Sequence, residues 1–476
     1  MFDLCEIIRA LTGQDYSGEN CAFAEAVVDS RQAVEDTLFV AVPGEQTDGH
    51  KFIPQAFANG AKAALIEEDA AGDYAFIDLR NGPKIDSVPA AADPEGKFCI
   101  RVENTITALQ KIAAYHRTRL LGMEVTGITG SVGKTSTKEL IYEVLSRHYR
   151  TLKTAGNMNN EIGLPLTLLR ADKETEQAVL EMGFYVPGEI DQLCRISSPT
   201  VGVITNVGMV HASRAGSMEV IARGKSELVQ ALPSGGMAIL NYDDPYVRPM
   251  ADVTRANIFY YGMDPAADLF ADNIVSFGLN GVGFDLNYKG EKHTVKIPLV
   301  GKHSVLTALR AAAVGLVKNL SWEEIVSGLE NGKNQLRMRI TKTFCGGMLI
   351  DDAYNSSPDA ALAALNLLSE MKGRKIAVLG DMLELGQYEK KGHETVGRRA
   401  GEVCDELVAV GPLSKYLCEA AIEKGMPADR VFWFETAADS VAFVKELAVS
   451  ENDAVLIKGS LGMRMKQIVS ALEEKQ

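Results

Sequence analysis

The chain has 476 residues, which is enough for two to four domains that each bury a core. Hydrophobic residues make up 46% of it and charged residues 24%, proportions that are typical of a globular protein. Its net charge of −14 excludes a general nucleic-acid binder, because a phosphate backbone requires a basic protein face. Any anionic substrate must therefore be held by local loops.

Cysteine usage and the N-terminus predict the compartment. The seven cysteines are scattered singly, without paired metal-ligand spacing, so we expect reduced thiols in a cytoplasmic protein. The first residues combine an early acid with an amphipathic pattern, which is typical of a helix and not of a signal peptide. No apolar run has the length needed to span a bilayer.

Residues 1–118 are predicted to form a first, small α/β unit. A helix opens it, and short strands are expected near residues 26–29 and 38–42. Polar turns follow these strands, and they contain Ser30, Arg31, Thr47, Asp48, Gly49 and His50. Such groups at strand ends could hold a phosphate or a sugar, and ordinary turn formation explains them equally well. Residues 79–97 are predicted to be a loose surface insertion without an assigned role.

Residues 119–333 are predicted to form a central unit with a parallel sheet, organised around one glycine-rich loop. A strand precedes this loop and a helix follows it. The loop residues are Gly130, Ser131, Val132, Gly133, Lys134, Thr135 and Ser136. Strict P-loop spacing would place a glycine at Ile128, so this is a variant loop. It predicts a nucleoside triphosphate with Lys134 on the phosphates and Thr135 on Mg²⁺, and a merely tight turn is the alternative.

Polar residues also follow the ends of other predicted strands in this unit. Glu181 ends one apolar run, and Asn206 and His211 follow another. Ligands bind beyond the carboxyl ends of parallel strands, so we expect these side chains to lie near the P-loop. Considered alone, each has a simpler structural explanation, such as a helix cap or a surface acid.

Residues 334–476 are predicted to form a third unit, a Rossmann-like sheet of alternating strands and helices. This part of the sequence lacks the glycine fingerprint of dinucleotide binding, so we do not infer NAD.

Several polar stretches together resemble the Mur ligase family, ATP-dependent amide-forming enzymes of peptidoglycan precursor synthesis. The most distinctive are Gly156-Asn157-Met-Asn159-Asn160, Asp351-Asp352-Ala-Tyr354-Asn355 and Gly380-Asp381-Met-Leu-Glu384. The resemblance covers nearly the whole chain and is greatest to the member that adds D-alanyl-D-alanine to UDP-N-acetylmuramoyl-tripeptide. It implies these two substrates as partners, ATP and Mg²⁺, and we expect a monomer.

The resemblance also implies roles for individual residues. The catalytic residues would be Lys134, Lys225 and His211. Magnesium would be held by Thr135, Glu181, His211 and a CO₂-modified Lys225, whose carbamate oxygens suit that hard cation. Besides the P-loop, ATP would contact Asn157, Arg337 and Asp352. The UDP end of the sugar nucleotide would lie near Ser30, Arg31, Thr47, Asp48, Gly49 and His50.

Three features depart from the family pattern. Ser304 and Thr307 stand where the family usually has asparagines, and a threonine hydroxyl cannot present the paired donor and acceptor of an amide to adenine. Leu461 stands in place of a common arginine, whose contact Arg464 could supply. The insertion at 79–97 is the third departure.

Two other functions stay open at the level of sequence. A sibling Mur ligase or a folylpolyglutamate synthase-type ligase would share the P-loop and Lys225. A nucleotide-binding partner that has lost catalysis is the second alternative, for which Ser304 and Thr307 give slight support. The third residue of the tripeptide, diaminopimelate or lysine, is also left open.

Overall fold

A computed structural model describes residues 1–18, 20–44, 47–68, 74–80, 96–209, 213, 216–332, 338–448 and 450–473. The predicted insertion at 79–97 therefore lies largely outside the described residues, as do His211 and Arg337. In the described part, three large β-sheets follow one another along the chain. This arrangement confirms the α/β class predicted from the sequence.

The first unit contains a five-stranded parallel sheet. The strands of the whole unit are β1 (Phe2–Asp3), β2 (Ala22–Phe23), β3 (Ala26–Val27), β4 (Thr37–Val40), β5 (Ala61–Ile66), β6 (Ala75–Asp78) and β7 (Phe98–Arg101). Its helices are α1 (Leu4–Thr12), α2 (Ile53–Ala58) and α3 (Thr105–Arg119). The sheet order is β3-β4-β5-β7-β6, and β1 pairs separately with β2. The Asp3 carboxylate caps α1 by accepting a hydrogen bond from the Glu6 N–H, which fixes where that helix begins.

The central unit contains a nine-stranded sheet. Its strands are β8 (Glu124–Thr129), β9 (Thr151–Lys153), β10 (Gln177–Glu181), β11 (Val201–Ile204), β12 (Met237–Asn241), β13 (Asn257–Gly262), β14 (Leu269–Ser276), β15 (Val282–Tyr288) and β16 (Glu291–Ile297). The described helices are α4 (Lys134–Leu145), α5 (Gly163–Leu168), α6 (Glu189–Ser197), α7 (Met218–Gln230), α8 (Ser304–Val317) and α9 (Trp322–Glu330). The sheet order is β16-β15-β14-β13-β12-β11-β8-β10-β9. The glycine-rich strand β8 lies between β11 and β10, parallel to both.

The end of the central sheet differs from the predicted alternation of strand and helix. Strands β14, β15 and β16 follow one another directly, and β15 is antiparallel to both neighbours. Lys289 and Gly290, with φ values of 48° and 84°, make the two-residue turn between β15 and β16. Such a turn joins antiparallel strands without a crossover helix.

The third unit contains a six-stranded sheet. Its strands are β17 (Arg339–Lys342), β18 (Met348–Asp352), β19 (Arg374–Gly380), β20 (Glu406–Val410), β21 (Val431–Phe434) and β22 (Asp453–Lys458). Its helices are α10 (Pro358–Ser369), α11 (Glu389–Val403), α12 (Lys415–Glu423), α13 (Ala437–Leu447) and α14 (Lys466–Leu472). The order is β17-β18-β22-β19-β20-β21, with only β17 antiparallel to its neighbour among these strands.

The hydrophobic cores show how the units are joined. Buried Phe2 and Ile8 of the first unit belong to the same cluster as Leu164 and Leu193 of the central unit. The third unit has two clusters, one on each side of its sheet. The limits at 118/119 and 333/334 remain predictions, and the first of them divides a continuous core. In the described part of the chain, no helix is long and apolar enough to cross a membrane.

Candidate nucleotide-binding site

The glycine-rich loop connects β8 to α4 as predicted. Gly133 adopts a left-handed conformation with φ 84° immediately before Lys134, the first residue of α4. Gly130 has φ 144°, and a Cβ atom at this position would lie 1.8 Å from the Thr205 hydroxyl oxygen. The loop therefore needs glycine at position 130, both for its backbone angle and for its contact with the end of β11.

Residues that follow β11 hold the P-loop in shape. The Val132 N–H donates to Asn206 Oδ1 at 2.9 Å, and Asn206 Nδ2 donates back to the Val132 carbonyl at 3.1 Å. The Ser131 hydroxyl accepts from the Gly208 N–H at 2.8 Å. The residues after β11 thus hold the P-loop backbone in place through these hydrogen bonds, which gives Asn206 a positioning role.

The Lys134 side chain folds back over the loop. Its Nζ donates to the carbonyls of Gly130 and Ser131, at 2.8 Å and 3.3 Å. Thr135 and Ser136, at the start of α4, line the adjacent cleft. An ammonium group, loop N–H groups and a helix N-terminus consequently surround one space, which is the arrangement that phosphate binding requires.

Glu181 presents one unpaired carboxylate oxygen to this cleft. The side chain is 1% exposed at the end of β10, next to the P-loop strand. Asn159 Nδ2 donates to Glu181 Oε1 at 2.9 Å, whereas the buried Oε2 has no hydrogen-bond partner in the described structure. A buried carboxylate oxygen without a donor is costly, so this atom fits a cation ligand.

Lys225 lies buried on α7. Its Nζ is 4.9 Å from the centre of the Phe184 ring, and the residue is 2% exposed. Burial, with a smaller contribution from the Lys134 charge, lowers the pKa of Lys225 well below the ordinary lysine value. The amine is therefore more easily neutral, and more reactive, than a surface lysine.

The cleft lies between the central and third units and has a volume of about 380 Å³. The third unit contributes Asp352, Asp359 and Lys458 to its wall. Lys458 Nζ donates to Asp352 Oδ2 at 2.6 Å, so this predicted ATP contact is already ion-paired. Burial raises the pKa of Asp359, and nearby Asp244 adds to that effect.

Helix α8 lines the cleft with Ser304, Thr307 and Arg310, and His303 lines it immediately before the helix begins. The Ser304 hydroxyl donates to the Val300 carbonyl at 2.7 Å and so serves the local backbone. Burial lowers the pKa of His303, which favours a neutral ring near pH 7. Thr307 remains in the cleft wall, where its hydroxyl could reach a ligand.

One predicted nucleotide contact, Asn157, is not among the described residues that line this cleft. Asn157 is exposed, and its neighbour Asn159 makes the contact with Glu181. Arg337 lies outside the described residues, as does the predicted metal ligand His211. In the described ranges, no three His, Cys, Asp or Glu side chains converge on one point as a metal cluster.

The predicted UDP-binding residues lie in two turns of the first unit that both pack on α2. Ser30 donates to Gln55 Oε1 at 2.8 Å, and exposed Arg31 pairs with Asp29. His50 is buried, with Nδ1 2.7 Å from the Asp48 carboxylate and Nε2 accepting from the Glu67 N–H at 2.9 Å. Both ring nitrogens are thus used inside the protein, which gives His50 a structural role.

Asn159 and Arg310 are the functional candidates that the sequence interpretation missed. Asn159 lies in the motif Gly156-Asn157-Met-Asn159-Asn160, but the sequence alone gave it no role. Arg310 interrupts an otherwise apolar helix turn, and this is the sequence signal that could have identified it. Lys138 is a third, structural case, because its buried Nζ donates to the Thr154 carbonyl at 2.8 Å and so fixes the loop before Asn159.

The fold and the cleft define a P-loop nucleotide-binding protein with three α/β units. Three family models match the chain in succession: Mur ligase family, catalytic domain at residues 26–117, Mur ligase middle domain at 128–315, and Mur ligase, glutamate ligase domain at 336–461. The chain belongs to the Mur ligase family.

Individual relatives match over nearly their whole length. The UDP-N-acetylmuramoyl-tripeptide–D-alanyl-D-alanine ligase of Bacillus subtilis is 38% identical, covering 94% of this chain and 92% of the relative. A crystal structure of MurF from Acinetobacter baumannii is 30% identical with a TM-score of 0.84, covering 99% and 98%. The MurF ligase from Thermotoga maritima in complex with ADP is 28% identical with a TM-score of 0.76, covering 94% and 96%.

Proposed function

We propose that this chain is the ATP-dependent ligase that joins D-alanyl-D-alanine to UDP-N-acetylmuramoyl-tripeptide in peptidoglycan precursor synthesis. The observation that carries the proposal is its full-length similarity to relatives named for that reaction. The P-loop, Glu181 and Lys225 support it, because the reaction consumes ATP and these residues occupy the central unit where the phosphates would bind.

The proposed reaction has two steps. The terminal carboxylate of the tripeptide attacks the γ-phosphorus of ATP, so that an acyl phosphate forms and ADP leaves. The amine of D-alanyl-D-alanine then attacks the acyl carbon and loses a proton, and inorganic phosphate leaves. The chain contributes positioning and charge neutralisation through the P-loop N–H groups, the N-terminus of α4 and Lys134.

Protection from water is the second task of the site, since an exposed acyl phosphate hydrolyses. Asp352 and Lys458 of the third unit close one side of the cleft, and Thr307 of the central unit lies on another. Arg337 and Asp352 are proposed to contact the nucleotide at this junction, whereas Asn157, which does not line the cleft, stays a prediction from the sequence.

Magnesium is proposed to bind Glu181, Thr135 and His211. The unpaired Glu181 Oε2 supports this assignment, because carboxylate and hydroxyl oxygens are the ligands that Mg²⁺ prefers. When bound, the ion would neutralise charge on the phosphate oxygens.

Lys225 is proposed to carry CO₂ as a carbamate. Its neutral Nζ forms the N–C bond and releases one proton, which leaves an anion with two oxygens. The lowered pKa of Lys225 supports this chemistry, because only the neutral amine is nucleophilic. The carbamate would complete the oxygen ligands near Glu181.

The first unit is proposed to bind the UDP end of the substrate through its two polar turns. Ser30, Arg31, Thr47, Asp48 and Gly49 would contact it, while His50 would act by shaping the second turn. We further propose a cytoplasmic enzyme, since the substrates include ATP and a nucleotide-linked precursor, and the expectation of a monomer stays a prediction from the family resemblance.

The test is ADP production by the purified chain with UDP-muramoyl tripeptides that end in diaminopimelate or lysine. We expect turnover with one or both tripeptides only when D-alanyl-D-alanine is present, and a ligated product of the matching mass. Lys134→Ala should abolish turnover. Ligation of a single amino acid in place of the dipeptide would indicate a sibling or folylpolyglutamate-type ligase, and absence of turnover with every substrate would favour an inactive binding partner.

A further inference from the structure

Arg310 is a buried cation whose charge is not balanced by the surrounding protein. The residue is 3% exposed on α8, and its neighbours Leu309 and Ala311 are fully buried. Its Nε donates to the Leu306 carbonyl at 2.9 Å and its Nη1 to the Thr137 hydroxyl at 2.5 Å. Both acceptors are neutral.

Among the described residues, no carboxylate forms a salt bridge with this guanidinium, and its aromatic neighbour is the neutral Tyr261, whose ring centre lies 5.7 Å from Cζ. Burial lowers the pKa of Arg310, as expected for a cation that lacks an anionic partner. An ionised side chain in such surroundings is costly unless an anion joins it. The site is therefore electrostatically incomplete without a ligand.

The position of Arg310 identifies the kind of anion. The residue lines the same cleft as the P-loop. Its Nη1 lies 3.2 Å from the point that a Cβ atom on Gly133 would occupy, so the guanidinium touches the loop from the side of α8. Phosphate oxygens are the anions that a P-loop receives, and the planar fork of arginine matches them.

We propose that Arg310 is a further nucleotide-binding residue, which donates to phosphate oxygens of the bound nucleoside di- or triphosphate. The inference rests on the proposed function only in that ATP occupies this cleft. Arg310 and Lys134 then hold the phosphates from two different elements, α8 and the P-loop. The contact with Thr137 orients the guanidinium before the nucleotide arrives.

The test compares ADP and adenosine binding to the full chain by calorimetry. Arg310→Met keeps the apolar stem and removes the charge, and we expect the ADP dissociation constant to rise about ten- to a hundredfold while adenosine binding changes less than about twofold. Arg310→Lys keeps a point charge and should show a smaller loss. Arg117→Met on α3 is the matched control, because Arg117 also donates to neutral carbonyls, those of Ser197 and Leu120, but does not line the cleft, and it should leave ADP binding unchanged.

Unfolding temperatures separate this role from a structural one. Without nucleotide, Arg310→Met should unfold at or above the wild-type temperature, because an unbalanced buried charge is gone. A lower temperature with unchanged ADP affinity would overturn the proposal and make Arg310 a link between α4 and α8. Equal loss of adenosine and ADP binding would overturn it as well. If the wild-type protein itself failed to bind ADP, the nucleotide site, and with it the proposed function, would be wrong.

Discussion

At the scale of single residues, the site depends on how Glu181 is held. Its Oε1 is fixed by Asn159, and its Oε2 is left buried and unpaired. A carboxylate held by one donor keeps its second oxygen aimed at a ligand. Asn159 is in this sense a positioning residue, because it acts through Glu181.

Asn159→Ala should weaken the dependence of activity on magnesium. We expect the Mg²⁺ concentration for half-maximal ADP production to rise about tenfold, because Glu181 loses the donor that orients it. Titration of the rate with MgCl₂ measures this. Asn160→Ala is the control, since Asn160 accepts from the Gly163 N–H at the start of α5. It should cost about 1 kcal/mol of stability and leave the magnesium curve unchanged. Identical curves for wild type and Asn159→Ala would contradict the role.

Lys225→Met should abolish turnover and yet stabilise the fold. The pKa of Lys225 is lowered in the folded protein, so the unfolded chain binds more protons and folding is penalised as pH falls below the unfolded lysine value. Methionine carries no such penalty, and we expect a gain of about 1–3 kcal/mol at pH 7 that shrinks toward pH 10. Urea denaturation of carbonate-free protein at several pH values measures it. A variant less stable than wild type at pH 7 would refute this explanation.

At the scale of elements, the P-loop owes its shape to the neighbouring strand end as much as to its own glycines. Gly130 packs against Thr205, and Val132 exchanges two hydrogen bonds with Asn206. The loop is thus preorganised before any phosphate binds, because β11 lies beside β8 in the sheet.

Gly130→Ala should displace the loop and weaken nucleotide binding. Its Cβ would meet the Thr205 hydroxyl at 1.8 Å in a backbone conformation that side chains rarely adopt. We expect a loss of stability of about 1–3 kcal/mol and a loss of ADP affinity of about tenfold or more. Thermal unfolding with and without ADP measures both. Gly235→Ala, where nothing lies within 4 Å of the added carbon, is the matched control and should be nearly neutral.

At the scale of the whole molecule, the third unit touches the central unit at several points around the cleft. Gln387 Nε2 donates to the Gly216 carbonyl at 2.8 Å, and the Ser213 N–H donates to the Glu384 carbonyl at 3.1 Å. Ser276 and Glu370 form another contact. These bonds are partly exposed, and the apolar contacts between the two units include the partly buried side chains of Met209, Val300 and Tyr388, whereas the first and central units share fully buried members of one hydrophobic core. Motion of the third unit is therefore the less costly rearrangement.

A Gln387→Ala/Glu370→Ala double variant should favour a more open molecule. We expect a larger radius of gyration by small-angle scattering and a lower kcat, by about two- to tenfold, with little change in unfolding temperature. Gln192→Ala is the control, because it removes a comparable exposed contact with Gln110 across the core-linked units. An unchanged radius of gyration in the double variant would show that these contacts do not hold the units together.

Local sequence was sufficient for the elements whose chemistry is contiguous. The strand, glycine loop and helix at 124–145 could be predicted because alternation, turn residues and helical spacing all lie within one short stretch. The antiparallel end of the central sheet could not, since strand pairing is decided between segments that are distant in sequence.

By itself, the sequence determined the α/β class, the family and the phosphate-binding loop, because the residues that indicate each of them are contiguous in the chain. Only the tertiary structure decided that Asn159 and not Asn157 supports Glu181, that His50 is used internally, and that Arg310 borders the P-loop. The physical reason is that hydrogen-bond partners and burial are set by elements far apart in the chain. Thr137 and Arg310, for example, meet only after α4 and α8 pack together.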